Sequence, residues 1–236
     1  MSQLDLTNRV AERVSFAVPP LALPPEGWTF AALAQELCAA SALAIDHFHR
    51  VTKPAAVYPQ VRLHLGYFPR ALALLFVVTD HHVIARHQTF QAPVCTDSCV
   101  EAFISPQRND SYFNFEFNCI GTMLAYYCTR PRTKEDDHKF SAEEGALVQV
   151  QTSLKGPILT EIPGPLDWTL AAVIPVSLLE RHIGPLGPLA GQRWNANFYK
   201  CADHSSHPHW ASWSPIGKNL DFHVPRHFGE IRFLPA

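Results

Sequence analysis

Tyr112-Phe113-Asn114-Phe115-Glu116-Phe117-Asn118 alternates phenylalanine with polar side chains. In an extended chain successive side chains point to opposite faces. Phe113, Phe115 and Phe117 therefore share one face, and Tyr112, Asn114, Glu116 and Asn118 share the other. A second stretch, Trp194-Asn195-Ala196-Asn197-Phe198-Tyr199-Lys200, repeats the pattern. Its apolar face is Trp194, Ala196 and Phe198, and its polar face is Asn195, Asn197 and Tyr199. Strands with one apolar and one polar face are the units of a sheet packed on a core. An ordinary solvated face favours Lys, Glu and Thr. Amides, Tyr and a carboxylate instead supply paired donors and acceptors that suit a hydroxyl-bearing ligand. A polar face covered by loops, its amides satisfied by backbone, is the alternative reading.

The same period of two extends outward from these strands. Val61, Leu63 and Leu65 alternate with Arg62 and His64, and residues 71–79 form a continuous apolar run, as a strand covered on both faces would. Further strands are expected over 100–105, 123–128, 147–153 and 168–174. Turn clusters separate them at 105–110, at Gly164-Pro165 and at 184–188. Residues 28–43 are rich in Ala and Leu and predict a helix. A short helix is expected over 178–183, capped by Ser177 and stopped by Gly184. Ahead of all these lies a lead-in made irregular by Pro19, Pro20, Pro24 and Pro25. Many short strands with Pro/Gly turns and little helix predict an all-β, two-sheet β-sandwich with one or two short helices. Residues 1–43 are read as lead-in and helix packed on the domain, and residues 44–236 as the sandwich.

Composition removes other classes. The 236 residues carry 19 Lys+Arg against 21 Asp+Glu, so neither nucleic acid nor an anionic membrane is an expected partner. The longest apolar runs are strand-sized, far short of a membrane span. The first residues carry Asp5, Arg9, Glu12 and Arg13 and lack the pattern of a secretory signal, which predicts a cytoplasmic protein with six reduced cysteines. No C-x-x-C pair, G-x-S-x-G, H-E-x-x-H or phosphate loop occurs. Three features hold chemistry in reserve. Glu101 and Glu116 fall on strands that can neighbour one another, and paired carboxylates are what glycoside hydrolysis uses, which keeps a glycoside-processing enzyme as an alternative. Asp97 can bind calcium or cap a turn. The loop Asp203-His204-Ser205-Ser206-His207-Pro208-His209 can offer imidazoles to a transition metal or be a polar surface loop.

Six blocks of sequence resemble one known family. They are Val-Cys-Thr-Asp-Ser-Cys-Val-Glu-Ala-Phe-Ile-Ser-Pro (94–106), Tyr-Phe-Asn-Phe-Glu-Phe-Asn-Cys-Ile-Gly-Thr (112–122) and Trp-Thr-Leu-Ala-Ala-Val-Ile-Pro (168–175), then Trp-Asn-Ala-Asn-Phe-Tyr-Lys-Cys (194–201), Trp-Ala-Ser-Trp-Ser-Pro (210–215) and Phe-His-Val-Pro-Arg-His-Phe-Gly-Glu-Ile-Arg-Phe (222–233). Their content and order are similar to carbohydrate-binding module family 9-like proteins of the DOMON-like superfamily. The resemblance implies a jelly-roll-type sandwich with a sugar site on its concave face, usually attached to glycoside hydrolases such as xylanases. It implies a non-catalytic binder of mono- or oligosaccharides, and it allows calcium. In sugar-binding members two tryptophans sandwich a terminal ring, because the C–H face of a pyranose lies flat on an aromatic ring. By motif, the acid is Glu101, the amide is Asn195 or Asn197, and the late tryptophan is Trp210 or Trp213. Two departures stand out. Val94 and Cys95 occupy the place of the first tryptophan, and Glu116 falls near the place of an arginine. The expected ligand set is therefore Glu101, Tyr112, Asn114, Glu116, Asn195, Asn197, Tyr199, Trp210 and Trp213. A scaffold retained for another small polar ligand or a protein partner is the remaining alternative. Haem, which some DOMON relatives bind through Met and His, finds only Met1 and Met123 here.

Overall fold

A computed structural model describes residues 13–24, 26–51, 58–131, 133 and 137–236. The opening of the lead-in, residues 1–12, lies outside the described residues. In chain order the strands are β1 Ser15–Val18, β2 Ala42–Ala44, β3 His47–His49, β4 Gln60–Phe68, β5 Ala71–Ala85, β6 Cys99–Ser105, β7 Tyr112–Asn118, β8 Met123–Cys128, β9 Asp137–Lys139, β10 Gln149–Thr152, β11 Ile158–Pro175, β12 Arg193–Cys201, β13 Trp210–Ser212 and β14 Gly229–Phe233. The helices are α1 Phe30–Ala39, α2 Ala142–Gly145 and α3 Val176–Ile183. One sheet runs β1-β14-β12-β6-β7-β8-β9, with β13 pairing β12 and β3 pairing β13; the other runs β10-β11-β5-β4-β2. The chain is thus an all-β sandwich, as the alternation predicts.

The core lies between the two inner faces. Phe113, Phe115, Phe117, Trp194, Ala196 and Phe198 from the larger sheet pack in one cluster with Leu72, Leu74, Phe76 and Val78 of β5. Each large side chain so buried contributes roughly 1.5–3 kcal/mol. The unbroken apolar run of β5 has a direct cause. Its alternate residues Ala73 and Leu75 face away from the core and meet Leu33 and Leu37 of α1 in a second cluster. Helix α1 therefore covers the outer face of the smaller sheet, on the far side of the sandwich from the polar faces of β7 and β12.

Four local expectations need correction. The helix expected over 28–43 stops at Ala39, and Ala42–Ala44 pairs with β4 instead; pairing in the sheet overrides alanine's helix preference. Thr29 caps the start of α1 by accepting from the Ala32 amide at 3.2 Å. Ser177 is not a cap: α3 begins at Val176 after Pro175, although Gly184 does end it, at φ +79°. The lead-in is not wholly irregular, since β1 pairs in parallel with β14. Gly164-Pro165 is not a turn between elements but an irregularity inside β11, where the register slips between Pro163 and Leu166. A Cβ on Gly164 would lie 2.3 Å from the Asp80 carbonyl oxygen, so the close approach of two strands requires glycine there.

That approach flanks a buried polar connection between the sheets. Lys200 continues the inward face of β12 and reaches Asp80 Oδ2 on β5 at 3.1 Å. Its ammonium also lies 2.9 Å from His209 Nε2 and donates to the Cys201 carbonyl at 3.1 Å. Lys200 is 0 % exposed and Asp80 1 %. Burial, the largest single influence, would raise the Asp80 carboxyl, but Lys200 and His209 together with hydrogen bonds from Lys200 and the His81 amide hold the group below its ordinary value. Burial, reinforced by Lys200, pushes His209 down to about 3. The imidazole is therefore neutral, with Nδ1 donating to the His207 carbonyl at 2.9 Å and Nε2 accepting from Lys200.

Candidate functional site

The outward face of β6, β7 and β12 carries the residues that alternation singled out. Register places Tyr199, Glu101, Glu116 and Leu124 side by side across four strands. One end of this face is sealed: Ile216 and Phe228, from the segment after β13, pack on Phe103, Tyr112 and Tyr199. The other end stays open as a cavity of about 210 Å³ whose lining includes Glu101, Glu116, Trp210 and Phe222. A larger cavity, about 290 Å³, lies along residues 44–46 and 58–62. Its Asp46, Gln60 and Arg62 are exposed, so the convergent buried polar groups belong to the smaller one.

The electrostatics of the smaller cavity follow from burial. Glu101 is 3 % exposed and Glu116 6 %. Burial first, then the neighbouring Glu116 charge, raises the Glu101 carboxyl well above its ordinary value. Burial likewise lifts Glu116 to about 7, although the hydrogen bond from Asn114 opposes it. Asn114 Nδ2 donates to Glu116 Oε1 at 2.7 Å, while buried Glu116 Oε2 has no hydrogen-bond partner among the described residues. The Cys201 thiol donates to Glu101 Oε1 at 3.0 Å. Trp210 is steadied from behind by its indole N–H, which donates to Asp203 Oδ1 at 2.7 Å. The Arg50 guanidinium sits 5.9 Å from the same ring.

The structure divides the expected ligand set. Glu101, Glu116 and Trp210 line the cavity. Asn114 sits behind Glu116 and positions it. Asn197 is used up by backbone, accepting from the Phe198 and Ser214 amides at 2.9 and 2.8 Å and donating to the Ser214 carbonyl at 3.0 Å. Asn195 accepts from Arg13 at 2.8 Å. The Tyr199 hydroxyl donates to the Phe222 carbonyl at 3.0 Å, and the Tyr112 hydroxyl meets His223 Nδ1 at 2.7 Å. Of these four side chains, Asn197 is held wholly by backbone, whereas Asn195 and Tyr112 meet side chains. Trp213 belongs to the core, packed on Phe198, because a spacing of three from Trp210 reverses the face.

Other lining residues escaped the sequence reading. Cys201 lies two positions beyond Tyr199 on the same face, so carrying the alternation one step further finds it. Asp203, Asp221 and His223 also line the cavity, but they come from irregular segments where no period exists to mark them.

Metal candidates resolve by donor chemistry. Asp97 accepts from the Arg86 and His87 amides, both at 3.0 Å, and from Asn118 at 2.9 Å. A carboxylate filled by N–H donors does not fit calcium, and the Asp97 side chain caps no local turn but ties the chain just after β5 to β7. The histidines of the 203–209 loop diverge: His209 turns inward to Lys200, whereas His207 stacks on His82 with centroids 3.7 Å apart. Stacked rings hold their lone pairs in parallel planes, which prevents both from meeting one ion without rotation.

The model of carbohydrate-binding family 9 matches residues 33–233. A protein from Bacteroides uniformis, described as carbohydrate-binding, is 31 % identical over 94 % of this chain and 99 % of its own, with a TM-score of 0.81. A family 9 module from Caldicellulosiruptor kristjanssonii, solved with glucose and with cellotriose, is 12 % identical in both structures. Those alignments cover 94 % of this chain and 97 % and 95 % of the module, at TM-scores of 0.62 and 0.63. No curated protein matches. The chain belongs to carbohydrate-binding family 9.

Proposed function

We propose that this protein binds a neutral or amino saccharide, one ring deep, in the cavity on the outer face of the larger sheet, and does not transform it. The observation that carries this reading is Glu116 Oε2, a buried acceptor without a donor that lines the cavity together with Trp210. An unpaired buried acceptor costs about 1–3 kcal/mol, which a ligand O–H or N–H relieves. The Trp210 ring supplies the flat apolar surface on which a pyranose face lies. At about 210 Å³ the cavity is below the usual range for drug-sized ligands and suits a single ring. Asp203 and Asp221 add to the acidic lining, so acidic saccharides are disfavoured.

Titration of the protein with neutral, amino and uronic sugars, followed by tryptophan fluorescence, tests the reading. A saturable change with neutral or amino sugars, lost in Trp210→Ala and in Glu116→Gln, is expected. Silence across the panel, or a signal that survives both substitutions, overturns it.

A further inference from the structure

At and just beneath the floor of the same cavity stand two thiols that saccharide binding does not require, beside Glu101. Cys99 and Cys201 face each other directly across β6 and β12, and Glu101 stands two residues along β6 on the same face. One donor atom from each lies within 4.8 Å of the other two, and all three residues are buried. Half-buried Cys95 packs against Cys99 and Cys201 and lines the cavity, which provides the access route. We infer that this floor binds a thiophilic divalent cation of the zinc and cadmium class through Cys99 Sγ, Cys201 Sγ and Glu101, with the fourth position open to the cavity for water.

Two independent features support the assignment. The first is donor geometry and softness. A tetrahedral centre with bonds of about 2.0–2.3 Å needs ligand atoms roughly 3–4 Å apart, and two sulfurs with one carboxylate oxygen select zinc-class ions over calcium or magnesium. The second is the unpaired Glu116 Oε2, buried beside Glu101 in a cavity whose other acids are Asp203 and Asp221. A water on the fourth position of a bound ion would supply the donor that this oxygen lacks. Binding converts thiols to thiolates, so each coordinating cysteine releases one proton to solvent; the Cys201 proton, now shared with Glu101 Oε1, is among them. No electron transfer is involved. This cation site shares Glu101 and the orphan Glu116 oxygen with the saccharide reading, but its thiol ligands are independent of any sugar. Zinc loading is therefore expected to weaken saccharide binding.

Cobalt(II) titration of reduced, chelator-treated protein tests it with no sugar present. The expected result is one equivalent of cobalt giving thiolate charge-transfer bands and the visible bands of a tetrahedral centre, all displaced by zinc. Cys201→Ser should lower affinity by more than the ~10–100-fold that outer-shell losses cost, and Cys38→Ser, on α1 across the sandwich, should leave it unchanged. Should Cys201→Ser fail to fold, Cys99→Ser serves instead, with proton release measured alongside. Absence of thiolate bands, or bands that persist in both cavity variants or vanish in Cys38→Ser, overturns the site. A failed sugar titration does not bear on this result.

Discussion

Glu116→Gln separates the energetic cost of the cavity from its use. In the folded protein the carboxyl is raised from 4.5 to about 7, chiefly by burial. Each tenfold change in proton affinity corresponds to ~1.36 kcal/mol, so ionising this group in place costs on the order of 3 kcal/mol. The direction follows from linkage. A carboxyl with a raised folded value weakens the fold as pH climbs past its unfolded value near 4.5, and the full cost is present above about 7. Glutamine keeps an oxygen for the Asn114 donor and removes the charge. For a domain of this size each kcal/mol moves Tm by about 2–4 °C, so the variant should melt about 6–12 °C above wild type at pH 8 and level with it at pH 4. Scanning calorimetry from pH 4 to 8.5 measures this, while the same variant loses the saccharide response. A Tm difference that does not vary with pH, or a variant less stable at pH 8, would show that Glu116 is not held ionised at a cost, and the account of the cavity would fail.

Other expectations rest on separate parts of the molecule. Lys200→Met leaves Asp80 buried without its cation and should cost about 3–5 kcal/mol in denaturant unfolding; adding Asp80→Asn should recover part of it, and a loss under about 1 kcal/mol would refute the inter-sheet pair. His209, held down to about 3, takes up a proton more readily when unfolded, so stability should fall as pH drops below about 6.5. His49, His182 and His227 are shifted the same way, so His209→Gln should flatten the acid-side slope rather than abolish it; an unchanged slope counts against the neutral assignment. Trp210→Ala should remove saccharide binding with little change in Tm, whereas Trp213→Ala should cost about 3–5 kcal/mol of stability; the reverse pattern would exchange their roles.

What the sequence reveals and what it hides divide along a physical line. Alternation is local, so it places Phe113, Phe115, Phe117, Trp194, Ala196 and Phe198 on the inner faces and sets Glu101 and Glu116 outward, where register then makes them neighbours. Alternation says nothing of what covers the outer face. Asn195, Asn197, Tyr112 and Tyr199 look as available as Glu116 in sequence, yet Arg13, Ser214, His223 and Phe222 occupy them, and these partners lie between 17 and 182 residues away. Such pairings depend on where irregular segments return to the sheet, and no propensity records that. Lys200 shows the same limit from the opposite side. A lysine at the end of an apolar face reads as the point where a strand meets water, and only the arrival of Asp80 from the other sheet turns it into a buried cation. The cavity floor was nearer to hand. Cys99, Glu101 and Cys201 obey the same period of two as the phenylalanines, and cysteine escaped notice because spacing rules for metal sites look along one strand or loop. In a sheet the relevant neighbour lies across the ladder, about 5 Å away in space and some hundred residues away in sequence.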